Sequence, residues 1–140
     1  MQDPSPITVR VTVSADARRA WHVFTDPRLV TQWNFASDDW SCPAAEADLR
    51  AGGAFRFRMA ARDGSMAFDF EGRYLEVAPF ERLKYLLSDG REVVVAFTAV
   101  AGGTEVVETF APDPGASREL QRSGWQAILD NFKALVEREA

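Results

Sequence analysis

Glycine-containing dipeptides divide the middle of this chain into short segments. Gly52-Gly53, Asp63-Gly64, Asp89-Gly90 and Gly102-Gly103 are residue pairs that tight hairpin turns prefer, and Pro79 marks a further break. The segments between them are rich in β-branched and aromatic residues, which favour strands. We therefore predict an antiparallel meander with strands at Phe55–Met59, Phe68–Val77, Leu83–Leu87, Val93–Val100 and Thr104–Phe110, and a further strand near Ser41–Ala47.

The beginning of the chain combines one strand with two short helices. Apolar and polar residues alternate over Ile7–Val13, which predicts a half-buried strand. Ser14 or Asp16 would cap a helix that follows, because both side chains accept hydrogen bonds from the first helical amides. Pro27 suits the first turn of a second short helix.

A long amphipathic helix is predicted for the end of the chain, from about Ser117. Its apolar stripe consists of Leu120, Gly124, Trp125, Ile128, Leu129, Phe132, Leu135 and Val136. About 22 residues make a rod of roughly 33 Å, which must lie across the whole domain. We predict an α+β fold in which a curved antiparallel sheet of six to seven strands wraps around this helix.

Composition and charge limit the classes of function. The length of 140 residues suits one domain over residues 1–140, with residues 1–6 as a flexible amino terminus. A net charge of −5 disfavours binding to nucleic acid or to an anionic membrane surface. The single cysteine excludes an internal disulfide, and no apolar run reaches the length of a membrane span. A cytoplasmic location is the default expectation, and the sequence leaves monomer and homodimer open.

An aromatic-rich segment, QWNFASDDW at residues 32–40, follows the second short helix. It contains Trp33, Phe35 and Trp40 but has neither a helical nor a strand period. Loops are usually polar, because a buried loop leaves backbone groups unpaired. This loop must therefore fold back over a core, a cavity mouth or a partner, and we expect it to act as a lid.

Few residues offer catalytic or metal-binding chemistry. His22 is the only histidine, so sites with two histidines are excluded, and a packing or surface role is expected for it. Asp38 and Asp39 are adjacent and would point to opposite sides of an extended segment, which makes them a poor acid/base pair. Structural capping is the preferred interpretation for them, and ligand contact is the second.

Glu108 is the carboxylate whose position matters most. It shares a strand face with Val106 and Phe110. If that face points inward, Glu108 lies on a cavity wall and loss of solvent raises its pKa. If Val107 points inward instead, Glu108 is a surface residue. The sequence leaves both phases open.

Several short motifs support a family resemblance that covers nearly the whole chain. They are AWHVFTDP at Ala20–Pro27, Gln32-Trp33, Gly52-Gly53, Gly72-Arg73-Tyr74 with Val77, PFERL at Pro79–Leu83, Gly124-Trp125 and Asn131-Phe132. Their order resembles the helix-grip fold of the START and birch-pollen-allergen-like superfamily, also called SRPBCC. Within it, the chain is most similar to the branch named after the activator of the heat-shock-protein-90 ATPase.

The resemblance implies an apolar cavity between the sheet and the terminal helix. Related domains bind lipids, transport hydrophobic ligands, cyclise polyketides or assist chaperones. We expect non-catalytic binding of a small hydrophobic ligand, with no catalytic residue, metal or cofactor. The candidate lining residues are Trp33, Phe35, Trp40, Phe57, Phe68, Phe70, Phe97, Glu108, Trp125 and Phe132.

Two alternatives remain open at this point. The first is an enzyme of the polyketide cyclase or hydrolase type, acting on an aromatic or polyketide substrate, with Glu108 or His22 as its acid/base. The second is an interaction module like the chaperone-ATPase activator. Only six residues precede Ile7, too few for the amino-terminal domain that the eukaryotic activator carries, so the chaperone contact ranks last.

Overall fold

The computed structural model describes residues 4–139, which form one curled antiparallel sheet and three helices. The strands are β1 (Ile7–Val13), β2 (Trp40–Ala47), β3 (Ala54–Ala61), β4 (Ala67–Ala78), β5 (Arg82–Leu87), β6 (Glu92–Val100) and β7 (Gly103–Phe110). The helices are α1 (Ala17–Thr25), α2 (Pro27–Val30) and α3 (Arg118–Glu139). The strand order β1-β7-β6-β5-β4-β3-β2 confirms the predicted α+β architecture with seven strands.

The two short helices begin at the capping and proline residues that the sequence indicates. Asp16 is the residue that caps α1, since its carboxylate accepts a hydrogen bond from the Arg19 amide. Pro27 occupies the first turn of α2, and Asp26 caps that helix. The Arg28 side chain, which donates to Asp26, lowers the pKa of the Asp26 carboxyl. These contacts fix the tight junction between the two short helices.

Two irregularities help to curl the sheet. The pairing register shifts between Ser41 and Ala44 in β2, and between Tyr74 and Glu76 in β4. Bulges of this kind bend a strand and increase its twist. The sheet therefore forms a half-barrel with a concave inner face.

Helix α3 packs on the inner face close to one edge of the sheet, against β1 and α1. Three hydrogen bonds tie it to the edge strand region. Gln126 Nε2 and Lys133 Nζ donate to the backbone carbonyls of Arg10 and Thr12, and Glu137 accepts from the Ser14 amide at 2.8 Å. These contacts hold α3 over β1, so the strands at the far side of the half-barrel are covered less closely.

The predicted apolar stripe of α3 is correct for its second half and wrong at its start. Leu129, Phe132, Leu135 and Val136 are buried, whereas Leu120 is 73% exposed. Leu120 lies in the first turn of α3, where its amide donates to the Ser117 hydroxyl. None of the described helices is long and apolar enough to span a membrane.

The amino-terminal residues contact α3. Arg118 donates to the backbone carbonyls of Ser5 and Pro6 at 2.6 and 3.2 Å. Residues 1–3, which belong to the segment expected to be flexible, lie outside the described residues.

Candidate functional site: the cavity between sheet and helix

A cavity of about 360 Å³ lies between the inner face of the sheet and α3, and we call it the central cavity. Nine of its sixteen lining side chains carry an aromatic ring. The lining residues are Phe24, Trp33, Asn34, Phe55, Phe57, Met59, Phe68, Phe70, Tyr74, Leu83, Tyr85, Arg91, Glu108, Asp113, Trp125 and Ile128. An apolar wall with a few polar groups is the usual composition of a small-molecule site.

The central cavity remains open because of how α3 is placed. The helix is held over β1, while half of the sixteen lining residues come from β3, β4 and β5. Gly124 precedes Trp125 in α3, and a side-chain carbon built there would meet no atom within 4 Å. Close backbone packing therefore does not explain this mid-helix glycine.

Glu108 points inward, which decides between the two phases left open by the sequence. Residues Thr104, Val106, Glu108 and Phe110 of β7 are buried in strict alternation. Glu108 is 6% exposed, and its side chain makes no hydrogen bond or ion pair within residues 4–139. Burial raises the pKa of its carboxyl from 4.5 to about 8. The group is therefore largely protonated at neutral pH.

Two tyrosines contribute further polar groups to the same wall. Burial raises the pKa of Tyr85 well above its usual value, and the nearby Glu108 carboxyl raises it further. Burial also raises the pKa of Tyr74. Both phenols are neutral at physiological pH, and each offers one donor and one acceptor. With Asn34, whose side chain contacts Met59 Sδ, they give the cavity a small set of buried hydrogen-bonding groups.

The rim of the cavity lies at one end of the half-barrel. We define the rim as the four segments 31–39, 62–66, 88–91 and 111–117. The strand register places them together, since Trp40 pairs with Ala61 and Val93 pairs with Phe110. Phe68, at the start of β4, lines the cavity and is 47% exposed. The cavity is therefore partly open to solvent at this end.

Comparison with known proteins decides the family. Residues 14–137 match the family described as Activator of Hsp90 ATPase homolog 1-like protein. The chain belongs to this family. Its fold, the SRPBCC fold, is one that commonly binds hydrophobic ligands. A search of curated proteins found no match.

Solved structures of three other proteins are closely similar. The solution structure of the Activator of Hsp90 ATPase homolog 1-like protein from Aeromonas hydrophila is 40% identical, with a TM-score of 0.90 over 96% of this chain and 93% of that chain. A protein from Cytophaga hutchinsonii is 46% identical, with a TM-score of 0.82 over 95% of this chain and 92% of that one. A protein from Chromobacterium violaceum is 27% identical, with a TM-score of 0.87 over 96% and 99% of the two chains.

The ten residues predicted from the sequence to line a cavity fall into two groups. Six of them line the central cavity of this family member: Trp33, Phe57, Phe68, Phe70, Glu108 and Trp125. The other four, Phe35, Trp40, Phe97 and Phe132, do not. Phe97 and Phe132 pack with Phe24 as part of the filled core, with ring centroids 5.7 and 5.3 Å from it.

The aromatic segment does not act as one unit. The Trp33 indole N–H donates to the Val23 carbonyl at 2.9 Å, so this residue belongs to the core as well as to the cavity wall. The Phe35 carbonyl accepts from Asn131 of α3 at 2.6 Å. Trp40 is the first residue of β2, and its ring meets Phe68 edge-on at 5.9 Å. Phe35 and Trp40 are therefore partly buried against the core and do not line the central cavity.

The other candidates for chemistry lie away from the cavity. The His22 side chain is 54% exposed and lies 3.7 Å from Asp26, so it cannot act on a ligand in the cavity. Asp38 and Asp39 are exposed. The Arg62 side chain donates to the backbone carbonyl of Asp38, and the Arg62 amide donates to that of Asp39. The capping interpretation for their carboxylates is therefore wrong within the described chain. Residues 4–139 contain no cluster of side chains that would hold a metal ion.

Sequence reasoning missed two residues that matter most to the polarity of the cavity, Tyr74 and Tyr85. The alternation Leu83, Tyr85, Leu87 in β5 places these three side chains on the buried inner face. Because β5 pairs with β4 through Tyr85 and Tyr74, the same face continues across both strands. That alternation is a signal in the sequence that would have found them.

Two larger depressions, of about 770 and 830 Å³, are shallower and more open to solvent. The second lies beside α1 and includes Trp21, Arg18 and Phe80. Neither depression is lined by Glu108, Tyr74 or Tyr85. The smaller central cavity therefore combines enclosure, an aromatic wall and buried polar groups.

Proposed function

We propose that this protein binds a small hydrophobic molecule in the central cavity. The observation that carries the proposal is an unfilled space of about 360 Å³ with a mainly aromatic wall inside an otherwise packed domain. Side chains around an empty space lack contacts on one side, and a ligand of matching shape restores them. The volume is at the lower end of the range for ligand pockets, which favours a small ligand.

The rim is where the ligand enters. Phe68 is the exposed member of the lining, and the segment 31–39 lies beside it. Asn131 attaches this segment to α3 through the Phe35 carbonyl. The exposed residues 36–39 lie between this attachment and Trp40 of β2, and they are the proposed lid.

A titration of intrinsic tryptophan fluorescence tests binding directly. The panel consists of fatty acids, flavonoids and sterols, so that ligand size and shape vary. A saturable change with at least one class is expected, because Trp33 and Trp125 line the cavity. No saturable change with any class, in a folded protein, would count against binding.

A cavity-filling variant locates the site. Ile128 lines the cavity and is half-buried, so Ile128→Phe should reduce the available volume and weaken binding. Leu75→Phe is the matched control, since Leu75 is exposed on β4 and lies outside the cavity. Equal affinities of the two variants would place binding elsewhere.

One observation favours a second candidate function, an enzyme of the polyketide cyclase or hydrolase type. Glu108 is buried among apolar groups, and its pKa of about 8 suits proton transfer near neutral pH. It would act as the general acid or base on an aromatic or polyketide substrate. Recovery of the bound compound decides between the candidates: a carrier returns it unchanged. An enzyme converts it with a pH profile that disappears in Glu108→Gln.

A further inference from the structure

Glu108 is a buried acid to which no cation is paired within residues 4–139. Its neighbours in the register are Val9 on β1 and Val95 on β6, and both are buried and apolar. An unpaired charge in such surroundings is costly unless a partner of opposite charge arrives. The carboxyl group is one of the sixteen lining side chains, so a bound molecule meets it directly.

The other titratable groups of the cavity wall do not supply that partner. They are Tyr74 on β4, Tyr85 on β5, and Arg91 and Asp113 on the rim. Arg91 is already engaged, since its Nε donates to Asp89 at 2.8 Å. The lining residues from β3, α1 and α3 carry no charge. A cation opposite Glu108 must therefore come from the ligand.

Two further features favour a positively charged ligand. The aromatic rings of the wall present π-faces, which attract organic cations. The rim segments contain five aspartates, Asp38, Asp39, Asp63, Asp89 and Asp113, against only Arg62 and Arg91. Arg62 donates to the Asp38 carbonyl at 2.9 Å and lies over the Phe35 ring. An acidic rim raises the local concentration of cations at the mouth.

We propose that the ligand is a hydrophobic amine, whose ammonium group pairs with ionised Glu108 while its apolar body occupies the aromatic part of the cavity. This inference rests on the proposed function, the binding of a hydrophobic ligand at this site. It adds the chemical class of the ligand. It also separates two uses of Glu108, because a neutral carboxyl would instead donate a hydrogen bond to an uncharged ligand.

The two uses predict opposite pH dependence. An ammonium ligand binds ionised Glu108, so its affinity rises as the pH increases towards about 8 and then levels off. An uncharged acceptor binds protonated Glu108, so its affinity is nearly constant below about pH 8 and falls above it. Tyr74 and Tyr85 do not titrate there, since burial raises the pKa of both.

The test uses a matched pair of probes, 2-(1-naphthyl)ethylamine and 2-(1-naphthyl)ethanol, in calorimetric titrations between about pH 6 and pH 9. The amine remains protonated over most of this range, because the pKa of an alkylammonium group such as that of lysine is about 10.4. We expect the amine to bind at least about tenfold more tightly than the alcohol at pH 8. Equal affinities, or tighter binding of the alcohol, would overturn the amine assignment. Failure of both probes and of the fluorescence panel would instead overturn the proposed function.

The variant Glu108→Gln tests whether Glu108 causes the preference for the amine over the alcohol. The variant should lose the preference for the amine and its pH dependence, while the alcohol binds as before. Glu105→Gln is the matched control, because Glu105 is on the same strand and pairs with Arg10 outside the cavity. An unchanged amine preference in Glu108→Gln would overturn the proposal. If that variant does not fold, the pH dependence of the native protein decides alone.

Discussion

At the scale of single residues, the direction of one side chain determines the character of the site. The sequence shows that Glu108 shares a face with Val106 and Phe110, but a strand with valines on both faces has no preferred phase. The pairing of β7 between β1 and β6 sets the phase, and it depends on contacts from distant parts of the chain. A buried carboxylate could therefore be suspected from the sequence, but its burial could not be established.

The burial of Glu108 has a measurable effect on stability. Its raised pKa means that the folded state keeps a proton that the unfolded state has released above about pH 4.5. The free energy of unfolding should therefore fall as the pH rises from about 4.5 to 8, by at most about 1.4 kcal/mol per pH unit. Acids with lowered pKa values, such as Asp26, act below this window and in the opposite direction.

Urea denaturation of Glu108→Gln at several pH values checks this effect. The variant should have a flatter dependence than the native protein between about pH 5 and pH 8. Glu105→Gln should keep the native slope. If native protein and Glu108→Gln have the same slope, the carboxyl is not buried as described.

Trp125 tests whether the cavity wall is less completely packed than the core. Its ring stacks on Phe110 at 3.9 Å and meets Phe70 edge-on at 6.1 Å, but it also faces the cavity. We expect Trp125→Ala to cost about 2 kcal/mol, less than the 3–5 kcal/mol typical of a fully packed aromatic residue. Phe132→Ala, at a fully buried position, should fall within that higher range.

Chemical denaturation and ligand titration on the same samples give both quantities for Trp125→Ala. Binding should weaken sharply in this variant. An equal loss of stability in Trp125→Ala and Phe132→Ala, with ligand affinity retained, would favour a filled core.

At the scale of elements, the strands and helices could be predicted and the space between them could not. The strand bounds agree with the sequence to within about two residues, because the turns contain Gly52, Gly64, Gly90 and Gly102, all at positive φ. The width of the cavity depends on how α3 is held over β1. The contacts that hold it join residues more than 100 positions apart, and no local pattern predicts them.

Gly124 gives a prediction about α3. A methyl group at this position meets open space, so Gly124→Ala should stabilise the protein by about 1 kcal/mol through helix propensity. Gly90→Ala is the contrasting control: it also meets open space, but its φ of 92° disfavours any side chain, so it should destabilise. Thermal or urea unfolding measures both. A destabilised Gly124→Ala would show that the space beside Trp125 is not open.

At the scale of the whole molecule, the domain is closely packed where α3 contacts β1 and α1, and it contains the central cavity where β3, β4 and β5 face α3. The aromatic segment at residues 32–40 illustrates why the sequence did not separate them. Its three aromatics look equivalent along the chain, yet Trp33 is anchored in the core by Val23, Phe35 is attached to α3, and Trp40 begins β2. The position of each aromatic residue depends on a contact with a part of the chain that the local pattern does not reveal. The sequence therefore predicts a single lid, whereas the structure places the three residues in different environments.

The four tryptophans provide the most direct measurement of the central claim, that a hydrophobic ligand binds in the cavity between sheet and helix. Trp33 and Trp125 line the central cavity, whereas Trp21 lies in the separate depression beside α1 and Trp40 lies outside both. The indole N–H signals of ¹⁵N-labelled protein are recorded during a titration with 2-(1-naphthyl)ethylamine at about pH 8. We predict saturable shifts of the Trp33 and Trp125 signals with one common affinity, while the Trp21 signal stays in place. Shifts confined to Trp21, or no saturable shift of any signal with this amine, with the matching alcohol or with any compound of the fluorescence panel, would contradict the account.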